Sequence, residues 1–293
     1  MSGHGDFAGA SSGHENDSGA RTERDVVADG DATELLGEDL AISYPATDEP
    51  IVECETVVLP AGEITAIVGP NGSGKSTLLR GLARHLSPAA GEIVLDGRDV
   101  ASLGDKEFAR ELGLLSQEHD APGGITVEDL VHHGRYPHRG FLEGRTEADA
   151  LAVEDALEMT GVSHLRDEDL GDLSGGQKQL VWIAMTLAQQ TETVLLDEPT
   201  TYLDLHHQLR VMDVIHELNE ERGVTVCVVL HDLQQAARFA DYLVALRDGD
   251  VYDWGPPEDV VTEELLADVF GVDASVSFEN GDPRILPRRA VDR

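Results

Sequence analysis

The chain has 293 residues and a formal charge of −36, with 21 Lys and Arg against 57 Asp and Glu. Its length suits one large domain or two lobes, and an apolar content of 41% predicts that most of it folds. The acidity argues against a nucleic-acid partner, because phosphate contacts need clustered cations. An acidic surface of this kind repels itself in dilute buffer and is screened in molar salt, which predicts a halophile protein.

The N-terminal segment 1–33 is rich in Gly, Ser, Asp and Ala, which predicts a disordered acidic tail. It lacks the basic segment and apolar core of a secretory signal. No apolar run in the chain approaches the roughly 20 residues that a membrane span needs. Cys54 and Cys227 lie far apart in strand-like runs, so we predict two small buried hydrophobes and neither a disulfide nor a metal site.

A phosphate-binding loop is predicted after a short β-layer. Glu34–Ile64 alternates apolar and polar residues, as in antiparallel strands, and the apolar strand Ile64–Val68 ends that region. The next nine residues fit Gly-x4-Gly-Lys-Ser and lead into a helix; they are Gly69, Pro70, Asn71, Gly72, Ser73, Gly74, Lys75, Ser76 and Thr77. Glycines let successive amides face phosphate oxygens, Lys75 reaches the β and γ phosphates, and Ser76 can ligate Mg²⁺. The alternative is a Gly/Ser-rich turn before a core helix.

A helical region and a second loop follow. The pattern is helical from about 102 to 172, with the strongest helix at Thr146–Thr160 and a predicted N-cap at Thr126. The loop after it again frees amides at a helix start, and comprises Ser174, Gly175, Gly176 and Gln177. The sequence therefore predicts an inserted helical lobe that carries a second anion site.

Two acids end the next apolar strand, at Asp197 and Glu198. Asp197 is predicted to hold Mg²⁺ through water and Glu198 to polarise an attacking water, the alternative being two solvated acids. Further on we predict strand Val224–Leu230, a hairpin over residues 243–254, and a frayed end at Arg284–Arg293. Strands and helices that alternate around the motifs favour an α/β core.

The order of these motifs resembles the ATP-binding subunits of ABC transporters over roughly residues 34–270. Gly69–Thr77 matches the Walker A motif, Leu173–Gln177 the signature motif, and Val194–Pro199 the Walker B motif with its catalytic glutamate. The resemblance implies a P-loop NTPase core with an antiparallel β-layer and an inserted helical lobe. It implies an ABC ATPase domain at 34–271 and a C-terminal extension at 272–293.

The resemblance also implies roles for single residues. Gln117 corresponds to the Q-loop glutamine that touches Mg²⁺ and the attacking water, and Asp204 lies in the D-loop. His231 corresponds to the switch histidine at the γ-phosphate, and Tyr44 to the aromatic residue that stacks on adenine. One copy of each motif implies a head-to-tail homodimer that closes around two ATP molecules, with Glu198 and His231 aligning water for attack.

Four further segments resemble the importer ATPases for ferric siderophores, haem and cobalamin: Gly124–Val127, Gly134–His138, Thr200–Asp204 and, less selectively, Val229–Leu233. This implies a peripheral protein on the cytoplasmic face of the membrane, bound to polytopic permease subunits and indirectly to an extracellular substrate-binding protein. Tyr136 lies in the region expected to face the permease. We favour an iron(III) chelate as cargo; cobalamin, haem and a soluble ABC ATPase of iron–sulfur assembly stay open.

Overall fold

The computed structural model describes residues 34–45, 47, 49–117, 119, 123–140, 144–279 and 281–291. The predicted tail at 1–33 lies outside the described residues. In the part of the chain that is described, no helix has the length and apolar character needed to cross a membrane.

The described residues form strands and helices in the following order. The strands are β1 Leu35–Ile42, β2 Val52–Leu59, β3 Ile64–Val68, β4 Ala90–Leu95, β5 Arg98–Asp99, β6 Leu112–Leu115, β7 Thr193–Asp197, β8 Thr225–Val229, β9 Tyr242–Arg247, β10 Asp250–Gly255, β11 Val272–Glu279 and β12 Asp282–Ala290. The helices are α1 Lys75–Leu82, α2 Asp105–Glu111, α3 Val127–Val131, α4 Glu147–Thr160, α5 Gly175–Leu187, α6 Leu205–Arg222, α7 Leu233–Phe239, α8 Pro257–Val260 and α9 Glu263–Asp268. Short 3-10 turns lie at Val100–Ser102, His132–His138, Ser163–Leu165 and Leu170–Asp172.

A six-stranded sheet in the order β10-β9-β3-β8-β7-β6 forms the centre of the fold. The strands from β9 to β6 are parallel, and β10 pairs antiparallel at the edge. All residues of β3, β7 and β8 are buried, as expected for parallel strands covered on both faces. The carboxyl ends of β3, β6, β7 and β8 meet at one edge, which brings the predicted phosphate loop, Gln117, Glu198 and His231 to the same place.

A second sheet, in the order β2-β1-β4-β5, is antiparallel and confirms the predicted β-layer. Its apolar face packs on α1, whose Leu78 and Leu82 are fully buried in the same cluster as Ile42 of β1. Cys54 belongs to this cluster, and Cys227 lies in it from β8, both as free thiols. Burial raises the pKa of the Cys54 thiol to about 11, so it behaves as the predicted small hydrophobe.

The helical region is built on α3, α4 and α5, which share one apolar cluster with the central sheet. The predicted N-cap is confirmed, since the Thr126 side chain accepts from the Asp129 backbone N–H. The prediction of a helical stretch from 102 to 172 is wrong at Leu112–Leu115, which is strand β6 of the central sheet. Periodicity cannot separate a four-residue apolar run from a helical turn.

The C-terminal residues form a β-hairpin, so the predicted frayed end at Arg284–Arg293 is wrong for β12. Strand β12 pairs antiparallel with β11, with Val276 opposite Ile285. Both side chains pack against the large apolar cluster, where Val260 and Leu265 are buried. The sequence of β12 does not indicate a buried strand, because all of its side chains except those of Pro283 and Ile285 are exposed.

Candidate functional site

The loop between β3 and α1 requires glycine at two positions. At Gly69, with φ 150°, a Cβ would lie 2.4 Å from the Leu246 carbonyl oxygen. At Gly74, with φ 96°, it would lie 2.8 Å from a methyl group of Val52. The loop curls around Lys75, whose Nζ donates to the carbonyl oxygens of Gly69 at 3.0 Å and Pro70 at 2.9 Å. The tight backbone therefore holds a buried ammonium group inside the loop.

The electrostatics around Lys75 are set by burial and two acids. Burial lowers the pKa of Lys75, while the charges of Glu198 and Asp197 oppose that shift. Asp197 is the last residue of β7, and Glu198 follows it. In the sheet, one strand, β8, separates β7 from β3. The site thus combines one cation with carboxylates that favour its charged form.

Asp197 presents one carboxylate oxygen without a hydrogen bond. Its Oδ1 accepts from the Ser76 Oγ at 2.8 Å, while its buried Oδ2 has no hydrogen-bond partner and lies 3.9 Å from a guanidinium nitrogen of Arg80. Burial raises the pKa of Asp197, and the Ser76 hydrogen bond and Arg80 oppose this. Such an orphan oxygen is costly in the interior, and hydroxyl and carboxylate oxygens are ligands that Mg²⁺ accepts. The donor set therefore fits a divalent cation.

Glu198 is the centre of a polar cluster. Its Oε2 accepts from the Gln117 Nε2 at 2.8 Å and from the Thr201 Oγ1 at 3.2 Å, and lies 2.7 Å from the His231 Nε2. The backbone of Glu198 has φ 53°, the left-handed region that a non-glycine residue adopts at a cost of about 1 kcal/mol. The strand end and turn thus aim this carboxylate at the edge where the phosphate loop lies. Sequence reasoning missed Thr201, which only the turn places here.

Arg80 is a second residue that sequence reasoning missed. Its Nη1 donates to the Tyr44 hydroxyl at 3.0 Å, so the guanidinium joins the half-buried Tyr44 to Asp197. Arg80 lies four residues after Ser76 on α1, and residues at this spacing share a helix face. That spacing is the signal that could have identified it.

The second loop forms hydrogen bonds within itself. The Ser174 Oγ accepts from the Gln177 backbone N–H at 3.3 Å, and the Ser174 N–H donates to the Gln177 side-chain oxygen at 3.0 Å, which forms a capping box on α5. Among the described residues, no hydrogen bond of Ser174 reaches Gly69–Thr77. A Cβ at Gly176 would lie 2.2 Å from the His207 ring on α6.

Asp204 lies beside this second loop. It caps α6 by accepting from the His207 backbone N–H at 2.9 Å, and its Oδ1 is also 2.9 Å from the His207 Nδ1. These bonds to His207 lower the pKa of Asp204. The structure therefore divides the predicted site residues into two groups: one around the phosphate loop, with Tyr44, Gln117, Asp197, Glu198 and His231, and one formed by Ser174–Gln177 and Asp204.

Comparison with known proteins identifies the family. The ABC transporter profile matches residues 56–201. Over 255 residues the chain is 46% identical to the ferric enterobactin transport ATP-binding protein FepC of Escherichia coli (strain K12), an alignment that covers 86% of this chain and 93% of that protein. The chain belongs to the ABC transporter family. The predicted family is confirmed, and as an ABC ATPase the protein binds and hydrolyses ATP.

Two other relatives of this ABC ATPase differ in their named cargo. It is 46% identical over 250 residues to the petrobactin import ATP-binding protein FpuD of Bacillus anthracis, which covers 85% of this chain and 91% of the relative. It is 37% identical over 232 residues to the cobalamin import ATP-binding protein BtuD of Halobacterium salinarum (strain ATCC 29341 / DSM 671 / R1). That alignment covers 79% of this chain and 58% of the relative.

Solved structures confirm the predicted fold. An ABC transporter described as metal-chelate type, in an inward-facing conformation, superposes with a TM-score of 0.75 at 27% identity, covering 88% of this chain and 98% of that one. The bacterial ABC transporter cassette MJ0796, solved as a dimer, superposes with a TM-score of 0.67 at 29% identity. The match covers 76% of this chain and 98% of that one. MJ0796 is also known in a dimeric post-hydrolysis state bound to ADP and phosphate.

Proposed function

We propose that this protein is the ATP-hydrolysing subunit of an ABC importer that drives uptake of a siderophore-type iron(III) chelate through a membrane permease. The observation that carries the proposal is the meeting of Lys75, Asp197 and Glu198 at one sheet edge, in a chain 46% identical to two siderophore-transport ATP-binding proteins. The arrangement of these residues supports the ATPase activity, and the names of those two relatives support the class of cargo.

The residues around the phosphate loop divide the chemical work. The backbone N–H groups of Gly69–Thr77, except at Pro70, and the Lys75 ammonium bind the β and γ phosphates, because the loop already holds that ammonium inside its curve. Ser76, Asp197 and Gln117 would hold Mg²⁺, which neutralises phosphate charge when bound. Tyr44 supplies an aromatic face for adenine, held by Arg80.

Glu198 is the proposed general base. Its carboxylate accepts a proton from the attacking water, and the Gln117 amide and Thr201 hydroxyl fix its orientation. His231, 2.7 Å from the same carboxylate oxygen, orients the water and contacts the γ-phosphate. Every one of these partners bonds Oε2, so the other oxygen, Oε1, is the one we assign to water.

The second group of residues completes the site of another copy of the chain. Ser174, Gly175, Gly176 and Gln177 start a helix whose amides suit a γ-phosphate, yet their bonds stay within their own loop. We infer a head-to-tail homodimer that holds two ATP molecules, with Asp204 at the interface. The dimeric MJ0796 cassette supports this arrangement.

The partners and location follow from the importer assignment. The subunit would lie at the cytoplasmic face of the membrane, attached to polytopic permease subunits and coupled through them to an extracellular substrate-binding protein. Cobalamin is the cargo named for BtuD, but that relative is less similar, at 37% identity, and this chain spans 58% of it. Haem import and a soluble role in iron–sulfur assembly are the remaining candidate functions.

Uptake in a strain whose only copy carries Glu198→Gln tests the proposal. We expect uptake of a radiolabelled iron(III) siderophore to fall to background, because an amide cannot act as the base. Uptake of cobalamin and haem should stay normal. A matched strain with Glu258→Gln, an exposed acid on α8, should behave as wild type. Loss of cobalamin or haem uptake alone would assign that cargo, and defective iron–sulfur enzymes with intact uptake would favour a soluble ABC ATPase.

We further infer that the protein works in molar salt. With a net charge of −36, the acidic groups of the surface repel one another. The Debye length that limits this repulsion is near 10 Å at about 0.1 M salt and about 3 Å at 1 M. The melting temperature should rise by roughly 10 °C from about 0.1 M to molar KCl. Circular dichroism in a KCl series measures this, and a flat or falling melting temperature would contradict the halophile assignment.

A further inference from the structure

The second loop is in direct contact with His207, a side chain of α6 that has no role in the function proposed above. A Cβ at Gly176 would lie 2.2 Å from the Cδ2 atom of the His207 ring and 2.6 Å from its Nε2. At the neighbouring Gly175, a Cβ would meet no described atom within 4 Å. The ring therefore fills the space beside one glycine of the loop and leaves the space beside the other open.

Asp204 holds the ring of His207 in this place. The Asp204 Oδ1 lies 2.9 Å from the His207 Nδ1 and also accepts from the backbone N–H of His207 at 2.9 Å. An ionised carboxylate only accepts hydrogen bonds, so the neutral ring carries its proton on Nδ1 and turns its Cδ2–Nε2 edge towards Gly176. A ring that is bonded through Nδ1 and packed along the opposite edge has a single orientation.

The first turn of α6, which carries His207, is itself fixed to the turn that precedes it. The Gln208 Nε2 donates to the carbonyl oxygen of Leu203 at 3.2 Å and to that of Thr200 at 3.4 Å. These bonds fasten the start of the helix to the residues that follow β7 and Glu198. His207 is therefore a fixed support against which the second loop packs.

The hydrogen-bond donors of the second loop are next to this contact. The backbone N–H groups of Gly175 and Gly176 lie in the first turn of α5, and in the part of the chain that the structure describes neither has an acceptor. The Ser174 Oγ accepts from the Gln177 N–H, which leaves the hydroxyl proton of Ser174 free to donate. Because Gly176 carries one of these donors and touches His207, the position of the ring determines where that donor points.

We propose that His207 is a positioning residue for the γ-phosphate of the ATP that the other copy of the chain binds. The ring, oriented by Asp204, fixes Gly176 and with it the donors of the second loop, so that they meet the phosphate without rearrangement. This rests on the head-to-tail homodimer proposed above. Because the ring serves the site of the other copy, its loss should slow hydrolysis and leave the binding of ATP to the single chain unchanged.

His207→Ala in the purified full chain tests the contact. We expect steady-state turnover to fall about 10- to 100-fold, because displacement of a positioning group by about 1 Å has effects of this size. The affinity of the monomer for a fluorescent ATP analogue should equal that of the wild type, and circular dichroism should show that the variant folds. The matched control is His216→Ala, the same change further along α6, where the ring pairs with Glu220. It should keep wild-type turnover.

His207→Asn separates the ring contact from the bond to Asp204. The amide nitrogen of the new side chain can still donate to the Asp204 carboxylate, but the ring atoms that touch Gly176 are lost. We therefore expect turnover as low as that of His207→Ala. Wild-type turnover in either variant would overturn the proposal, since the contact with the loop would then have no effect on hydrolysis.

Mixed dimers show which of the two sites the ring serves. When His207→Ala is mixed with Glu198→Gln before ATP is added, a mixed two-fold dimer combines the intact base of the first chain with the intact second loop of the other at one site. An equal mixture holds about one such site in four, so turnover should recover to about a quarter of the wild-type value, although each variant alone is slow. Ser174→Arg mixed with Glu198→Gln is the reference pair, because Ser174 itself belongs to the second loop.

The two mixtures distinguish failure of the positioning role from failure of the homodimer. Recovery with Ser174→Arg but not with His207→Ala would mean that His207 acts on its own site or on folding, which overturns the positioning role and leaves the homodimer standing. Recovery in neither mixture would refute the homodimer, and the positioning role would fall with it. Equal recovery in both mixtures is the result expected if His207 acts through the second loop on the site of the other copy.

Discussion

Glu198→Gln should reduce ATP turnover by about 10³-fold while ATP still binds. The amide keeps the shape of the side chain but is a poor base, and Lys75 keeps its hydrogen bonds to the carbonyl oxygens of Gly69 and Pro70. In the proposed homodimer ATP joins the two copies until it is hydrolysed, so the variant should accumulate as a dimer. Steady-state hydrolysis and size-exclusion chromatography with and without ATP measure both effects.

A matched control is Glu258→Gln, which removes one exposed carboxylate on α8 and should keep wild-type turnover. The Glu198 assignment is wrong if the Glu198→Gln variant still hydrolyses ATP and elutes only as a monomer. The cluster around its Oε2 makes a second, finer comparison possible. Thr201→Val removes one donor at 3.2 Å and should have a smaller effect than loss of the carboxylate.

Lys75→Ala should weaken ATP binding itself by roughly 10–100-fold, or about 1.5–3 kcal/mol, the range for a hydrogen bond to a charged group. The ammonium is held inside the loop by the carbonyl oxygens of Gly69 and Pro70, where the phosphates would lie. Titration with a fluorescent ATP analogue measures the affinity.

Lys178→Ala is the control for Lys75→Ala, because it removes the same charge from a lysine that also donates to a carbonyl oxygen, that of Gly171. Its affinity for the analogue in the monomer should equal that of the wild type. Circular dichroism confirms that both variants fold. An unchanged affinity in Lys75→Ala would count against Gly69–Thr77 as the nucleotide loop.

Local features of the fold were predictable from the sequence because each depends on neighbouring residues. The strand Ile64–Val68, the glycine-rich loop and the helix after it follow one another directly, and the Thr126 N-cap needs only the backbone three residues on. The parallel order of buried strands then follows from alternating strands and helices. This accounts for the correct prediction of the fold class.

Only the tertiary structure decided the contacts between distant residues. Arg80 bonds Tyr44 from another element, and His207 blocks a side chain at Gly176. The charged sequence of β12 does not predict a strand, and only its pairing with β11 identifies one. The ion pairs of the acids of α2, Asp105 with Arg84 and both Glu107 and Glu111 with Arg98, are likewise invisible in composition. A sequence pattern indicates which helix or strand a residue belongs to, whereas these contacts depend on how separate elements pack together.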